Sequence, residues 1–267
     1  DYFYAGSLLY ALEDFKGAVD NYSLMTDRTD SLGQIANYQM GYSYIRTKNK
    51  VAAMQAFKDA SAGGYDKAIQ EDAYFNYAKL AFDLNNDPSV FDSYISTYPS
   101  KAKGDKIYSY IALAALYNHD YAGAVEAYDK IDVLDEDMKN NYIKANYLRA
   151  DQLIEAGSYR KAVPCLKAAA YYSDKRSAFN QLSRYWLAES LYRSDDYAGA
   201  AEGYKVLYNT SALYGRHEGG LLPYDVAYCY YKSGDYASAE KWFDIYLQSG
   251  DKKGRRDALT RKGDTYF

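Results

Sequence analysis

The side chains that most often carry out catalysis are few and scattered in this 267-residue sequence. There are two histidines, His119 and His217, and two cysteines, Cys165 and Cys229. None of the four has a neighbour that completes a nucleophile–base pair or a metal-ligand spacing, and no HExxH, GxSxG, P-loop or GxGxxG motif occurs. We therefore predict no enzymatic activity, no metal and no cofactor, and we interpret both cysteines as small buried side chains.

Tyrosine is the residue type that stands out, with 35 copies beside 9 phenylalanines and 2 tryptophans. Its ring gives a large contact area with few torsions, and its hydroxyl forms hydrogen bonds, so it suits recognition of polypeptides or of sugars. The net charge of −4, without a basic stripe, predicts no nucleic-acid binding. The apolar run Ile111–Tyr117 is far shorter than the roughly 20 residues of a membrane-spanning helix, so we expect no membrane span.

An internal repeat indicates which elements position the tyrosines. A turn-like segment with an aromatic residue, followed three positions later by alanine, recurs at Phe15, Tyr121, Tyr159, Tyr197 and Tyr236. A large residue follows each of these alanines by four positions, and two degenerate copies keep that spacing, Ala53 with Phe57 and Val90 with Tyr94. Twelve positions before each alanine or valine lies a small residue, and a further one begins a last copy. These small anchors, 34 to 39 residues apart, are Gly6, Gly41, Ala78, Ala112, Ala150, Ala188, Ala227 and Gly263.

Each copy has the periodicity of two helices. Apolar residues recur at intervals of three and four, as in Tyr77, Leu80, Ala81 and Leu84, which is helical rather than strand spacing. The anchor and the alanine are small where two helices cross, which lets the axes approach, and the large residue one turn later fills the adjacent gap. We expect tyrosines such as Tyr22, Tyr94, Tyr128 and Tyr204 to fill that gap.

The pattern resembles the tetratricopeptide repeat (TPR) family, most fully in Gly41, Tyr44, Ala53, Phe57 and Ala60. The resemblance covers seven copies and the first helix of an eighth. It implies an all-α fold, a TPR solenoid of antiparallel helix pairs wound into an open right-handed superhelix. We expect a single solenoid domain over residues 1–267, with repeats at about 1–30, 31–66, 67–103, 104–138, 139–176, 177–218, 219–255 and a truncated 256–267.

Prolines and glycines add local expectations. Pro88 is expected at the start of a helix, Pro99 after the end of one, and Pro223 near the start of the first helix of the seventh copy. Pro164 falls inside a predicted helix, where it should produce a bend. The glycine-rich stretch 209–222 is predicted to be a long, mobile loop that contains His217.

In TPR proteins the first helix of each pair lines a concave groove, with the positions three before, one after and four after the anchor pointing into it. We call these positions the first-helix face. Six of the eight residues three before an anchor are aromatic. A clamp for a C-terminal carboxylate is disfavoured because only Lys79 and Asn76 match its basic and amide residues. The candidate partner-binding residues are Tyr38, Tyr42, Phe75, Lys79, Tyr147, Asp151, Tyr185, Glu189, Tyr224 and Tyr228.

The function predicted from the resemblance is a non-catalytic scaffold that binds a protein or peptide, as an extended segment or a helix, in this aromatic groove. One alternative is a glycan-binding or glycan-hydrolysing helical protein, for which Asp151 and Glu189, about 8 to 10 Å apart by helix-packing distance, would be the acid pair. Another is the docking arm of a larger protein, since the chain opens at Asp1 and stops in mid-pattern at Phe267. At any single position the tyrosine could instead pack between helices. The compartment stays open between the bacterial periplasm or cell envelope, suggested by the turns, and the cytoplasm.

Overall fold

The computed structural model describes residues 1–85, 89–98, 101–249 and 254–266, with the backbone alone for 101–103. Every regular element in those ranges is an α-helix, which confirms the all-α prediction. The helices are α1 (Tyr2–Ala11), α2 (Phe15–Ser23), α3 (Ser31–Arg46), α4 (Lys50–Ala62), α5 (Lys67–Asn85), α6 (Ser89–Thr97), α7 (Lys101–Tyr117), α8 (Tyr121–Tyr128), α9 (Glu136–Glu155), α10 (Tyr159–Tyr172), α11 (Ala178–Tyr192), α12 (Tyr197–Asn209), α13 (His217–Ser233), α14 (Tyr236–Gln248) and α15 (Arg255–Asp264).

The chain divides into two compact units, residues 1–114 and 115–267. Within the first unit each of α1 to α5 packs against the next helix, and α1 and α5 also contact α3. Within the second unit each of α8 to α14 packs against its successor. The repeat count, the repeat boundaries and the single-domain organisation stay predictions.

The turns inside the helix pairs share one local design, shown by the turn before α12. Asp195 has a left-handed φ of 67°, and the backbone N–H of Asp196 donates to the carbonyl of Leu191 at 3.0 Å, which closes the end of α11. The Asp196 carboxylate then accepts from the N–H of Gly199 at 2.9 Å and caps α12. Left-handed residues stand at the same place in the other described turns of this kind, Glu13, Lys48, His119, Gly157 and Gly234.

The helix crossings confirm the role of the small anchors. A Cβ on Gly6 would lie 2.6 Å from the ring of Tyr22, and one on Gly41 would lie 2.7 Å from the ring of Phe57. The alanine anchors are fully buried, and so are the large residues beside them. The four gap-filling tyrosines, each at most 1% exposed, are Tyr22, Tyr94, Tyr128 and Tyr204. The two cysteines are buried as expected.

The prediction of a long loop at 209–222 is wrong, because α12 extends to Asn209 and α13 already begins at His217. Gly215, with a φ of +78°, supplies the left-handed turn between them. Gly219 serves close packing instead of flexibility, since a Cβ there would overlap the carbonyl oxygen of Leu213. His217 is therefore helical, and only residues 210–216 connect the two helices.

The prolines follow from these boundaries. Pro223 is the seventh residue of α13 and not near its start, because the helix begins earlier than the glycines suggested. Pro164 lies inside α10, which is assigned as one helix from Tyr159 to Tyr172, and the predicted bend there stays a prediction. Pro88 and Pro99 lie outside the described residues.

Candidate functional site

Two tyrosines and an aspartate form a polar cluster on the first-helix face of the first unit. Tyr38 and Tyr42 lie one turn apart on α3, which contacts α5. Both hydroxyls donate to Oδ2 of Asp72 on α5, at 2.9 Å and 2.8 Å. The Asn76 amide, one turn further along α5, donates to the same oxygen at 2.9 Å and to the hydroxyl of Tyr42 at 3.1 Å. We call this arrangement the first clasp.

The second unit contains the same arrangement, which we call the second clasp. Tyr224 and Tyr228, one turn apart on α13, both donate to Oδ2 of Asp257 on α15, the former at 2.8 Å. Arg261 takes the place of the amide, with its Nε donating to the hydroxyl of Tyr228 at 3.2 Å. The aspartate follows the first tyrosine by 34 residues in the first clasp and by 33 in the second, so each clasp joins two helices that are about one repeat period apart in the sequence.

Ring packing holds the clasp tyrosines in place. The Tyr38 and Tyr42 rings meet edge to face with centroids 5.1 Å apart, and both pack on Phe57. The Tyr224 and Tyr228 rings are 4.8 Å apart. Burial is the main cause that raises the pKa of Tyr38 and Tyr224, and the hydrogen bonds within each clasp raise it further. Both phenols are therefore protonated donors at neutral pH. All four tyrosines are half-buried.

The other aromatic and basic candidates of the first unit also lie on α5. Phe75 packs against Tyr94 at 5.9 Å between centroids, which leaves it half-buried. The Lys79 ammonium lies 6.0 Å from the centre of the Tyr110 ring, within the range of a cation–π contact. Both side chains therefore remain partly accessible beside the first clasp.

The candidates of the second unit differ in exposure. Tyr147 is half-buried against Phe179, with ring centroids 4.6 Å apart, and Asp151 is exposed. Tyr185, in contrast, is only 8% exposed and packs against Tyr204. Its ring belongs to the core, so a partner does not have access to it.

Glu189 is held by two hydrogen bonds and does not face an exposed acid partner. Its Oε1 accepts from Nε of Arg193 and its Oε2 from the hydroxyl of Tyr204, each at 2.7 Å. The cavity beside Glu189 does not include Asp151 in its lining. The paired-carboxylate geometry of a glycosidase therefore has no support from these two residues.

That cavity contains an acid that the sequence analysis did not single out, Asp225 on α13. Its Oδ2 is buried and has no hydrogen-bond partner among the described residues. Burial, reinforced by the charge of Glu189, raises the pKa of the Asp225 carboxyl well above its usual range. Asp225 lies two positions before the anchor Ala227, outside the first-helix face, but its place in the apolar segment Leu221–Cys229 could have drawn attention to it. The cavity has a volume of about 310 Å³ and is lined by Glu189, Tyr192, Arg193, Tyr204, Tyr224, Asp225 and Tyr228.

A larger and mainly apolar cavity of about 780 Å³ lies between α10, α11 and α12. It uses a different face of α11, with Leu187 and Leu191, and the small residues Gly199 and Gly203 of α12 make room for it. The sequence analysis did not single out Gly199 or Gly203.

Comparison with known protein families agrees with the helical repeat over part of the second unit. Residues 147–213 match the family model described as tetratricopeptide repeat. No curated protein matches the sequence. Among solved structures, the TPR2AB domain of yeast Sti1 in a pHSP90 complex is 11% identical, with a TM-score of 0.48, over 100% of this chain and 97% of that chain. A C-terminal part of a TPR repeat-containing protein from Cytophaga hutchinsonii is 13% identical, with a TM-score of 0.46, over 96% and 99%. A tetratricopeptide repeat protein from Parabacteroides merdae is 11% identical, with a TM-score of 0.46, over 100% and 98%.

No helix in the described part of the chain combines the length and the hydropathy that crossing a bilayer requires.

Proposed function

Because residues 147–213 belong to the tetratricopeptide repeat family, whose members are generally non-catalytic scaffolds, we propose that this chain is a scaffold that binds a protein or peptide through its first-helix face. The contact residues in this proposal are the clasp tyrosines, together with Phe75 and Lys79 in the first unit and Tyr147 and Asp151 in the second. Tyr185 is left out because its ring is buried.

The observation that carries the proposal is the recurrence of the clasp. In each clasp a carboxylate fixes two tyrosine hydroxyls, while the tyrosines are half-buried and keep part of their surface open to solvent. A ring that is already fixed loses little side-chain entropy when a partner covers it, about 0.5–1.5 kcal/mol less than a mobile side chain. Tyrosine is also one of the residues that most often dominate binding energy at interfaces.

The hydroxyls of Tyr38 and Tyr224 donate to the clasp aspartates and keep acceptor capacity for a donor from the partner, whereas those of Tyr42 and Tyr228 already accept from Asn76 and Arg261. A backbone N–H of an extended peptide, or a polar side chain on a bound helix, supplies such a donor. The surface therefore suits a polypeptide that places apolar groups on the ring edges and a donor next to the hydroxyl.

The test starts with peptides selected by display against the whole chain, whose affinities are then measured by calorimetry. We expect Tyr42→Ala or Tyr228→Ala to lower the affinity for the selected peptides by about thirtyfold, which is the effect of losing an interface hot spot. Tyr65→Ala and Tyr214→Ala are matched controls, since these tyrosines are 61% and 92% exposed outside the clasps. Circular dichroism of every variant separates a lost contact from lost structure.

Equal losses in the clasp variants and the controls would refute the proposal. So would selected peptides whose affinity is insensitive to both clasps, because the bound surface would then lie elsewhere on the chain.

A further inference from the structure

The cavity between α11, α12 and α13 holds two acids and one base. Glu189 is paired with Arg193 and also accepts from Tyr204, so the charge of its carboxylate is compensated. Asp225 has no such partner, and its buried Oδ2 accepts no hydrogen bond. Arg193 is the only basic residue in the lining, and its Nε is already bound to Glu189.

A buried carboxyl oxygen without a partner is unusual, because nearly all buried polar groups in folded proteins form hydrogen bonds. The groups that face Asp225 do not supply the missing positive charge. From α11 they are Glu189 and Tyr185, from α12 Tyr204, and from its own helix Cys229; Arg193, directly after α11, lines the cavity but is paired with Glu189. The same burial also raises the pKa of the Cys229 thiol to about 12, so that side chain stays neutral.

The remaining walls are aromatic. Tyr192 and the second-clasp residues Tyr224 and Tyr228 line the cavity together with the acids. Aromatic rings around a carboxylate favour a cation with an apolar stem. The stem packs on the rings, and the charged group forms cation–π contacts with the ring faces and an ion pair with the carboxylate. The volume of about 310 Å³ is at the small end of ligand pockets, which suits one side chain better than a whole small molecule.

We propose that this cavity receives a basic side chain, a lysine or an arginine, of the polypeptide bound on the first-helix face, with Asp225 as its counter-ion. The inference rests on the proposed function, because Tyr224 and Tyr228 belong both to the second clasp and to the cavity wall. A chain lying across the second clasp brings its side chains to the cavity mouth.

Binding of the cation involves one proton. The free carboxyl of Asp225 is neutral when the pH is below its raised pKa, and it ionises when the ammonium or guanidinium group arrives. The proton leaves to solvent, so each bound cation releases up to one proton. Affinity for the cation therefore increases with pH until the carboxyl of the free protein is itself ionised.

The experiment uses the whole chain and three small probes, the butylammonium ion, the butylguanidinium ion and uncharged 1-butanol, followed by NMR of the backbone amides. Saturable shifts confined to α11, α12 and α13 are expected with the two cations and not with 1-butanol. Asp225→Asn keeps the size of the side chain, and we expect it to lower the affinity for both cations by about tenfold or more. Glu202→Gln is the control, because that glutamate on α12 is largely exposed and pairs with Lys205.

A pH series distinguishes an ionic partner from an apolar one. In the unmodified protein the affinity for butylammonium is expected to rise as the pH is raised from about 4 to about 8, and Asp225→Asn should abolish most of that rise. Equal binding of 1-butanol and the cations would overturn the inference, and so would unchanged cation binding in Asp225→Asn.

The inference and the proposed function can fail separately. Selected peptides that need the second clasp but tolerate norleucine in place of each lysine and arginine would overturn the inference alone. Cations that bind at Asp225, in a protein whose clasp variants keep full peptide affinity, would overturn the proposed function and the link to a bound polypeptide.

Discussion

The first clasp permits a measurement of how strongly the tyrosine hydroxyls tie neighbouring first helices together. Tyr42→Phe removes one hydroxyl that donates to Asp72 at 2.8 Å, while the ring and its contact with Phe57 remain. Hydrogen bonds to charged groups contribute about 1.5–3 kcal/mol when buried. Because Tyr42 is only half-buried, we expect a loss of about 1–1.5 kcal/mol.

Asp72→Ala removes the acceptor of Tyr38, Tyr42 and Asn76 together, and we expect a loss of about 2–3 kcal/mol. The double variant should lose less than the sum of the two single losses, with a coupling of about 1 kcal/mol. The double-mutant cycle compares the unmodified protein, the two single variants and the double variant. It also cancels the gain in helix propensity that alanine brings to α5, because that gain occurs with and without the Tyr42 hydroxyl.

Hydrogen exchange followed by mass spectrometry is the appropriate assay, because repeat arrays open locally and do not unfold in one step. The free energies of opening are read from the amides of α3 and α5, and α13 of the same molecule serves as an internal reference. Tyr65→Phe is the matched control on an exposed ring. A coupling within about 0.3 kcal/mol of zero, or a loss in Tyr65→Phe as large as in Tyr42→Phe, would refute the reasoning.

Three further outcomes follow from burial and packing. Gly41→Ala should destabilise the first unit by about 1–2 kcal/mol in urea unfolding, because the added Cβ would lie 2.7 Å from the buried Phe57 ring. Gly104→Ala is the control: no described atom lies within 4 Å of its added Cβ, so this variant should be neutral or stabilising by up to about 1 kcal/mol. Burial raises the pKa of Tyr94 and Tyr204 above 10, so unfolded chains ionise first and stability falls as the pH rises above about 10. The tyrosinate absorbance of the buried rings should therefore appear together with the loss of helicity, and ionisation of all the tyrosines with intact helices would contradict this. Asp225→Asn should raise the free energy of unfolding at neutral pH by about 1 kcal/mol or more and have little effect near pH 3.8. The reason is that the buried carboxyl destabilises the fold only at pH values where Asp225 of the unfolded chain is ionised. An equal effect at both pH values in thermal unfolding would argue against this reasoning.

The helix pairs could be predicted from the sequence because the determinants are local and steric. An anchor such as Gly41 and a ring such as Phe57 lie within one pair, so their sizes have to match wherever the spacing recurs. The clasps could not be predicted in the same way. Asp72 and Asp257 lie on the first helix of the following copy, and their role depends on how adjacent first helices align, which the spacing within a pair does not specify.

Differences in burial between equivalent positions could not be predicted from the sequence either. Tyr185 and Tyr224 both lie three residues before an anchor, yet Tyr185 is in the core and Tyr224 is half-buried. Leu213, in the connection 210–216, is buried in the same apolar cluster as Tyr185. Glycine-rich composition suggested that this connection is long and loose, whereas Gly219 in fact packs it tightly against α13.

The clasps have a consequence for any method that monitors occupancy of the first-helix face. Each one joins two half-buried tyrosines to an aspartate on another helix, so a partner that immobilises Tyr228 on α13 also restrains α15, which carries none of the proposed contact residues. By thermodynamic linkage the effect is reciprocal: a change that makes the opening of α5 or α15 less favourable strengthens binding at Tyr42 or Tyr228 by the same free energy. A reporter group placed on the far side of α15 would therefore register a ligand bound on α13 without interfering with its binding.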